Sequence, residues 1–284
     1  MPVNDKLGTR MKTFYEEIPK TKLMRRTPVA IRIDGRAFHT FTRGFKRPFD
    51  SILQKSMHET MLYLCRNIQG CVLGYTQSDE ITLILVDYKT FESGAWFDYE
   101  VQKLCSISAS MATMAFNKFF ADNIRMMMCH FHYGEDANEQ IVKEEYGLTD
   151  EDLASGSDFW ENRWTLYQQK MGTAQFDARC FNIPREEVTN LLYWRQIDAA
   201  RNAVQMIGQK YFSHKQLHEK NCNMIIQMLK DEKGIIVEDY PTRCLRGVCA
   251  IRNEAGSWEI DYNIPLFKDE GRQYVERFIQ QEET

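Results

Sequence analysis

The chain has 284 residues, enough for one large domain or two small ones, and 43% of them are hydrophobic, sufficient for a sizeable core. A formal net charge of −4 excludes a protein that coats nucleic acid indiscriminately, while leaving room for a local basic surface. No apolar run approaches the roughly 20 residues of a membrane span and the first six residues have no signal-peptide core, so the expectation is a cytoplasmic protein without a membrane partner.

Four basic residues, Lys20, Lys22, Arg25 and Arg26, precede the first strand signal, and Arg43, Lys46 and Arg47 follow it. Each group is either ordinary solvated charge or a surface for RNA. Between them, Val29, Ile31 and Ile33 alternate with Ala30, Arg32 and Asp34, the period-two pattern of a strand that buries one face. Asp34 ends that strand, and Gly35 permits a turn that a Cβ would hinder. Asp50-Ser51 can cap a helix whose apolar side is Ile52, Met57, Met61, Leu62 and Leu64, closing near Asn67.

Two β-like runs, Cys71 to Tyr75 and Ile81 to Val86, are joined through Gln77-Ser78-Asp79-Glu80. Their closeness predicts an antiparallel hairpin with Asp79 near its tip. A helix from about Phe97 to Phe119 follows, and a strand at Phe176 to Ile183 completes a β-α-β-β-α-β unit of ferredoxin-like type. Residues 135–173 are read as an acidic surface insertion, because eight acidic residues lie between Glu135 and Asp152 against the single Lys143. Residues 1–134 and 174–284 then form one unit. Helical spacing returns over Leu191 to Tyr211 and Ser213 to Leu229, and short strands are expected at Gly247 to Ile251 and Trp258 to Tyr262. The class is therefore α+β: an antiparallel sheet with helices packed on it, plus C-terminal helical and short-strand elements.

The eight cysteines are scattered without a C-x-x-C pair, as expected of reduced, buried thiols in a cytosolic protein. Cys129-His130-Phe131-His132 groups zinc-type ligands, but its alternation reads as a strand and no second ligand pair stands at a zinc spacing.

In this topology the end of the first strand and the hairpin tip meet at one sheet edge, although Asp34 and Asp79 are 45 residues apart. Mg²⁺ prefers oxygen ligands and retains waters, so one or two carboxylates with substrate phosphates complete a site. Asp34 and Asp79 can bridge two ions, with Glu80 in support and the Gly35 carbonyl as a further ligand. Arg36 or His39 can meet phosphate, Phe38 is either a base-packing or a core residue, and Lys103 either faces a triphosphate or is a plain helix lysine. Arg195, Asp198, Arg201 and Asn202 form a polar stripe along one helix side, either solvated or facing substrate.

Arg32-Ile33-Asp34-Gly35-Arg36-Ala37-Phe38-His39, Gln77-Ser78-Asp79-Glu80, Phe176-Asp177-Ala178-Arg179 and Tyr193-Trp194-Arg195-Gln196-Ile197-Asp198 occur in an order that resembles the tRNA-histidine guanylyltransferase family, the 3′-5′ polymerases. The resemblance implies a polymerase-palm core that adds nucleotides to the 5′ end of tRNA after activation by ATP. It implies two Mg²⁺ ions on Asp34, the Gly35 backbone and Asp79, with catalysis by Asp34, Asp79 and Glu80. ATP and GTP or another nucleoside triphosphate would be substrates, held by Asp34, Gly35, Arg36, Ala37, Phe38, His39, Ser78, Asp79, Lys103 and Lys220. Arg25, Arg26, Lys46, Arg195, Arg201 and Asn202 are the RNA candidates, and a homotetramer is implied.

The stretch Ala200-Arg201-Asn202-Ala203-Val204-Gln205-Met206 departs from the His-Ile-Asn-Asn-Leu-Tyr-Asn element of eukaryotic members and is similar to the bacterial and archaeal "like" branch. That favours templated repair of 5′-truncated tRNA, with guanosine addition at position −1 of tRNA-histidine as the alternative. A nucleotide cyclase and a non-catalytic RNA-binding protein are the readings from other classes.

Overall fold

The computed structural model describes residues 5–133 and 157–281. At their centre is an antiparallel sheet of β1 (Val29–Gly35), β2 (Cys71–Gln77), β3 (Glu80–Leu85), β4 (Phe176–Asn182), β5 (Val248–Arg252) and β6 (Trp258–Asp261), ordered β4-β1-β3-β2-β5-β6. The helices are α1 (Lys6–Met11), α2 (Phe38–Phe41), α3 (Ser51–Asn67), α4 (Val101–Tyr133), α5 (Ser157–Lys170), α6 (Arg185–Tyr211), α7 (His214–Leu217), α8 (Cys222–Lys233), α9 (Thr242–Arg246) and α10 (Arg272–Ile279). The first four strands with α3 and α4 make the β-α-β-β-α-β palm-type unit, and β5 and β6 extend its sheet beyond β2.

Strand alternation divides the apolar residues between two faces. Ile31 and Ile33 of β1 and Ile81, Leu83 and Leu85 of β3 pack under α3 and α4, against Met61, Leu64, Phe116 and Phe120. On the other face Ala30, Leu73, Tyr75 and Ile84 meet Val188 and Leu192 of α6 and Val275 and Ile279 of α10. Beyond the end of the sheet, α6 continues into a third cluster, where Val204 and Ile207 pack on Ile225 and Leu229 of α8.

Several boundaries differ from the sequence-based expectation, each for a local reason. Phe97, Asp98 and Tyr99 have φ of 48°, 51° and 54°, so the segment opens with a kinked 3₁₀ turn and α4 begins only at Val101. It runs on through residues 129–133, which are helical rather than strand, while the Cys129, His130 and His132 side chains fall outside the described residues. Pro184 with Glu186 and Glu187 starts α6 six residues before Leu191, since a proline entry and acidic first turn suit a helix N-terminus. Glu219 at φ 62° breaks the expected Ser213–Leu229 helix, and the Asn221 side chain, accepting from the Met224 amide at 3.0 Å, caps α8.

The acidic stretch from 134 to 156 lies outside the described residues. The C-terminal part of the expected surface insertion is a correction: α5 packs into the body, with Tyr167 1% exposed among Phe45 and Phe120. Its hydroxyl donates to Asp50 at 2.6 Å, and Arg163 stands 3.3 Å from the same carboxylate. Asp50 in turn accepts from the Leu53 amide at 3.0 Å as the cap of α3. Among the described residues no helix is long and apolar enough to cross a membrane.

Candidate active site

Register places the first carboxylate. Asp34 of β1 is directly opposite Glu80 of β3 and Asp177 of β4, so the three side chains leave the same face on one rung of the sheet. The β2-β3 turn brings in the second: Ser78, at φ 52°, turns the chain at the tip, and the Gly35 amide donates to the Asp79 carbonyl at 3.1 Å. The end of β1 and the hairpin tip are thereby tied together by backbone.

Gly35 is needed for a different reason from the turn expected. The left-handed residue is Ala37, at φ 54°, whereas a Cβ on Gly35 would run into the Phe38 ring. Phe38 itself is core: 4% exposed, it packs on Phe41, Phe116 and Phe176 with centroids 4.9, 5.6 and 5.1 Å away. It supports the strand end from below as a core residue.

Asp34, Gly35, Ala37, Phe38, His39, Ser78 and Asp79 all line one cavity of about 590 Å³ at the sheet's end. Arg43, Lys46 and Arg47 form a cationic side of it, and Met206 and Gln209, from the part of α6 that overshoots the sheet, close another. A cavity of this size is in the range of small-molecule sites.

Burial pushes the Asp34 carboxyl above its ordinary range, and the Glu80 and Asp177 carboxylates push it further against the pull of Arg179 and Arg32. Burial also raises Asp79, opposed by hydrogen bonds from the Ser78 hydroxyl and its own amide, with Asp34 and Glu80 adding repulsion. Ser78 donates to Asp79 at 2.8 Å. Arg179 comes no closer than 4.0 Å to Asp34, and among the described residues no cation pairs with Asp79. Two neighbouring, partly desolvated carboxylates with so little compensation present hard oxygen donors suited to a divalent cation. Among the described residues no group of three or more His, Cys, Asp or Glu forms a metal cluster, so a cation here would take its remaining ligands from backbone, water or substrate.

Glu80 is placed otherwise. Its carboxylate is 8% exposed, receives Arg32 Nη2 at 2.7 Å, and has Arg195 Nε at 2.8 Å as a charge contact whose N–H direction makes no hydrogen bond. Arg195 also pairs with Asp198. Glu80 and Arg195 are thus partners in a buried ion network beside Asp34, and Arg195, 5% exposed, is withdrawn from the surface.

The remaining candidates separate. Arg36 turns away from the cavity to bond Gln175 at 2.5 Å. Lys103 lies near the opposite end of the sheet, 3.6 Å from Glu100 and over the Phe97 ring, on the first turn of a helix that reaches the β1 strand end only near Thr113. Lys220 lines a separate polar cavity of about 550 Å³ with Asp198, Arg201 and Asn202. Arg25 and Arg26 are taken up by Asp87, the Arg25 Nε at 2.7 Å and the Arg26 amide at 2.8 Å, so they anchor a loop. Lys46, with its neighbours Arg43 and Arg47, borders the cavity at Asp34. Asp177 and Arg179, which belong to a motif given no role above, join the site, as do Met206 and Gln209. Aligning the alternation of β4 with that of β1 would have found the first two, since Asp177 faces Asp34, whereas nothing local marks the last two.

A family model described as tRNAHis guanylyltransferase matches residues 8–184. A bacterial tRNA(His) guanylyltransferase-like protein solved in complex with ATP is 34% identical, with a TM-score of 0.76 covering 97% of this chain and 100% of that one. A bacterial protein of the same description, in complex with GTP, is 30% identical with a TM-score of 0.66, covering 96% and 99%. The Saccharomyces cerevisiae tRNA(His) guanylyltransferase shares the fold at 19% identity, with a TM-score of 0.59 over 88% of this chain and 94% of that one. An uncharacterized protein, R259, of Acanthamoeba polyphaga mimivirus is 28% identical over 249 residues, 84% of this chain and 74% of its own length.

Proposed function

Since the chain belongs to the tRNAHis guanylyltransferase family and is a nucleotidyltransferase of that kind, we propose that it adds nucleotides, 3′ to 5′ and directed by the opposite strand, to the 5′ end of truncated tRNA. The observation that carries this is the pair of neighbouring, only weakly compensated carboxylates Asp34 and Asp79 opening on a cavity with Arg43, Lys46 and Arg47 on its cationic side.

Asp34 and Asp79, with the Gly35 backbone, would hold Mg²⁺, which when bound neutralises phosphate charge and lowers the pKa of a coordinated hydroxyl. Lys46, Arg47 and Arg43 attract and orient the phosphates, and His39 and Ser78 offer hydrogen bonds at the cavity wall. The 3′ oxygen of the incoming nucleotide forms a bond to the terminal 5′ phosphorus. Its proton goes to solvent, and AMP leaves from an end activated by ATP, or pyrophosphate from a triphosphate end. Ala200, where eukaryotic members carry histidine, supports templated repair over guanosine addition at position −1 of tRNA-histidine. Assembly as a cytoplasmic homotetramer belongs to the same reading.

The test is nucleotide addition by the purified protein, with Mg²⁺, ATP and all four nucleotides, to a tRNA lacking its first 5′ nucleotide and to intact tRNA-histidine. Restoration of the base that pairs with the 3′ strand is expected, together with loss of activity in Asp34→Ala and on removal of Mg²⁺ by chelation. Guanosine on intact tRNA-histidine alone would make the alternative correct, and transfer to neither substrate would overturn both.

A further inference from the structure

Next to the reaction cavity lies a second of about 550 Å³, and Lys46, Arg47 and Pro48 line both. Beyond that shared wall, cations enter from three elements: Lys55 of α3, Lys210 of α6 and Arg243 of α9. No aspartate or glutamate is among its described lining residues. Lys210 and Arg243 are exposed, and neither forms an ion pair with a described carboxylate.

Two rings complete the cavity. Tyr240 packs edge-on to Phe49 at 5.7 Å, and Tyr262, 44% exposed, packs edge-on to His58 at 5.6 Å. His58 is pushed down to about 4 by burial and then by Arg243, so it is neutral at pH 7 and adds no charge. Lys210 and Arg243, which pair with no described carboxylate, add positive potential to a concave site, and tyrosine faces accept stacked bases without regard to sequence. Phosphate and base together are the chemistry of a nucleotide. A polymer whose end lies beside Asp34 and Asp79 must leave the reaction cavity by one of its sides, and this side is continuous with it.

We propose that the cavity between α3, α6 and α9 holds a nucleotide of the RNA substrate next to the reacting 5′ end, its phosphate on Lys210 and Arg243 and its base against Tyr240 or Tyr262. The proposal rests on the reading of RNA as substrate, and adds to it the route by which the strand leaves the site.

The test uses the full-length protein and a Lys210→Gln/Arg243→Gln double variant, whose exposed positions leave the cores untouched. Binding of 5′-truncated tRNA is measured by fluorescence anisotropy over a salt series without nucleotide, and GTP binding separately. The double variant is expected to bind RNA at least about tenfold more weakly, with a log-log salt slope shallower by roughly 0.7 for each phosphate that is no longer neutralised. GTP affinity and kcat should be unchanged, and the KM for RNA should rise. Tyr262→Ala should weaken RNA binding without altering the salt slope, because a ring carries no charge.

Unchanged RNA affinity in the double variant, or loss of GTP binding with RNA binding intact, overturns the proposal. Absence of RNA binding by the wild type overturns it too. If the wild type binds RNA through this cavity but transfers no nucleotide, the strand route stands and the proposed reaction falls.

Discussion

Burial first, and neighbouring carboxylates second, push both Asp34 and Asp79 above the ordinary carboxylate range. A carboxyl raised above its unfolded value binds its proton more tightly in the native state. Its stabilising contribution is complete below the ordinary carboxylate value of about 4 and is withdrawn as pH rises through the raised native value. At neutral pH both groups therefore cost stability. Asp79→Asn is expected to melt no lower than wild type at pH 7, with any advantage shrinking below about pH 4, and to abolish transfer. Mg²⁺ should raise the wild-type melting temperature and leave that of the variant unmoved. A variant that melts clearly lower at pH 7 without Mg²⁺ would show that the buried Asp79 carboxylate does not cost stability. Glu80→Gln behaves in the opposite way, because it strips the carboxylate from Arg32 and Arg195 in a site 8% exposed. A loss of about 3–5 kcal/mol is expected in urea unfolding, whereas a plain metal ligand would lose activity at unchanged stability. Local sequence could reveal the two aspartates because one ends a strand and the other sits at a hairpin tip; it could not reveal that Glu80 is neutralised from a helix 115 residues away, since only packing creates that pair.

At the scale of elements, the strands were legible from alternation, and α3 from its Asp50 cap and apolar spacing. Helix α5 was not, because the acidic run before it dominates the composition of the whole segment. Its docking depends on one contact that links three elements: Tyr167 of α5 donates to Asp50, which caps α3 and also accepts from the Lys46 amide at 3.0 Å, beside the cavity. Tyr167→Phe should cost about 1.5–3 kcal/mol, the worth of a hydrogen bond to a charged group, and be visible in chemical denaturation. Because Lys46 lines the cavity, the KM for nucleotide should rise with it. An unchanged KM at reduced stability would separate α5 from the site. Lys103 illustrates the limit of reading elements alone: its helix was foreseen, yet the kinked turn before Val101 and the direction of α4 carry it to the far end of the sheet.

For the molecule as a whole, the sheet needs both faces covered. The family match ends at residue 184, just before α6, yet Ala30, Leu73 and Ile84 are wholly buried by α6 and α10. A fragment ending at residue 184 is expected to lack a cooperative thermal transition and to bind a hydrophobic dye, because one side of its sheet would face water. A sharp melting transition in that fragment would show that the palm-type unit stands alone. The α6 overshoot was beyond sequence reasoning, as periodicity gives a helix its length but not its position against a sheet.

The rung shared by Asp34, Glu80 and Asp177 also makes turnover a gauge of strand alignment. A slip of β1 by one residue would bury Asp34 and turn Ile33 to the opposite face, and a slip of two would keep the face but carry the carboxylate about 7 Å along the strand. Either misaligned species would be silent. The specific activity of a refolded preparation therefore counts the molecules whose central strands found their correct partners, a quantity that circular dichroism, blind to a register slip, would overstate.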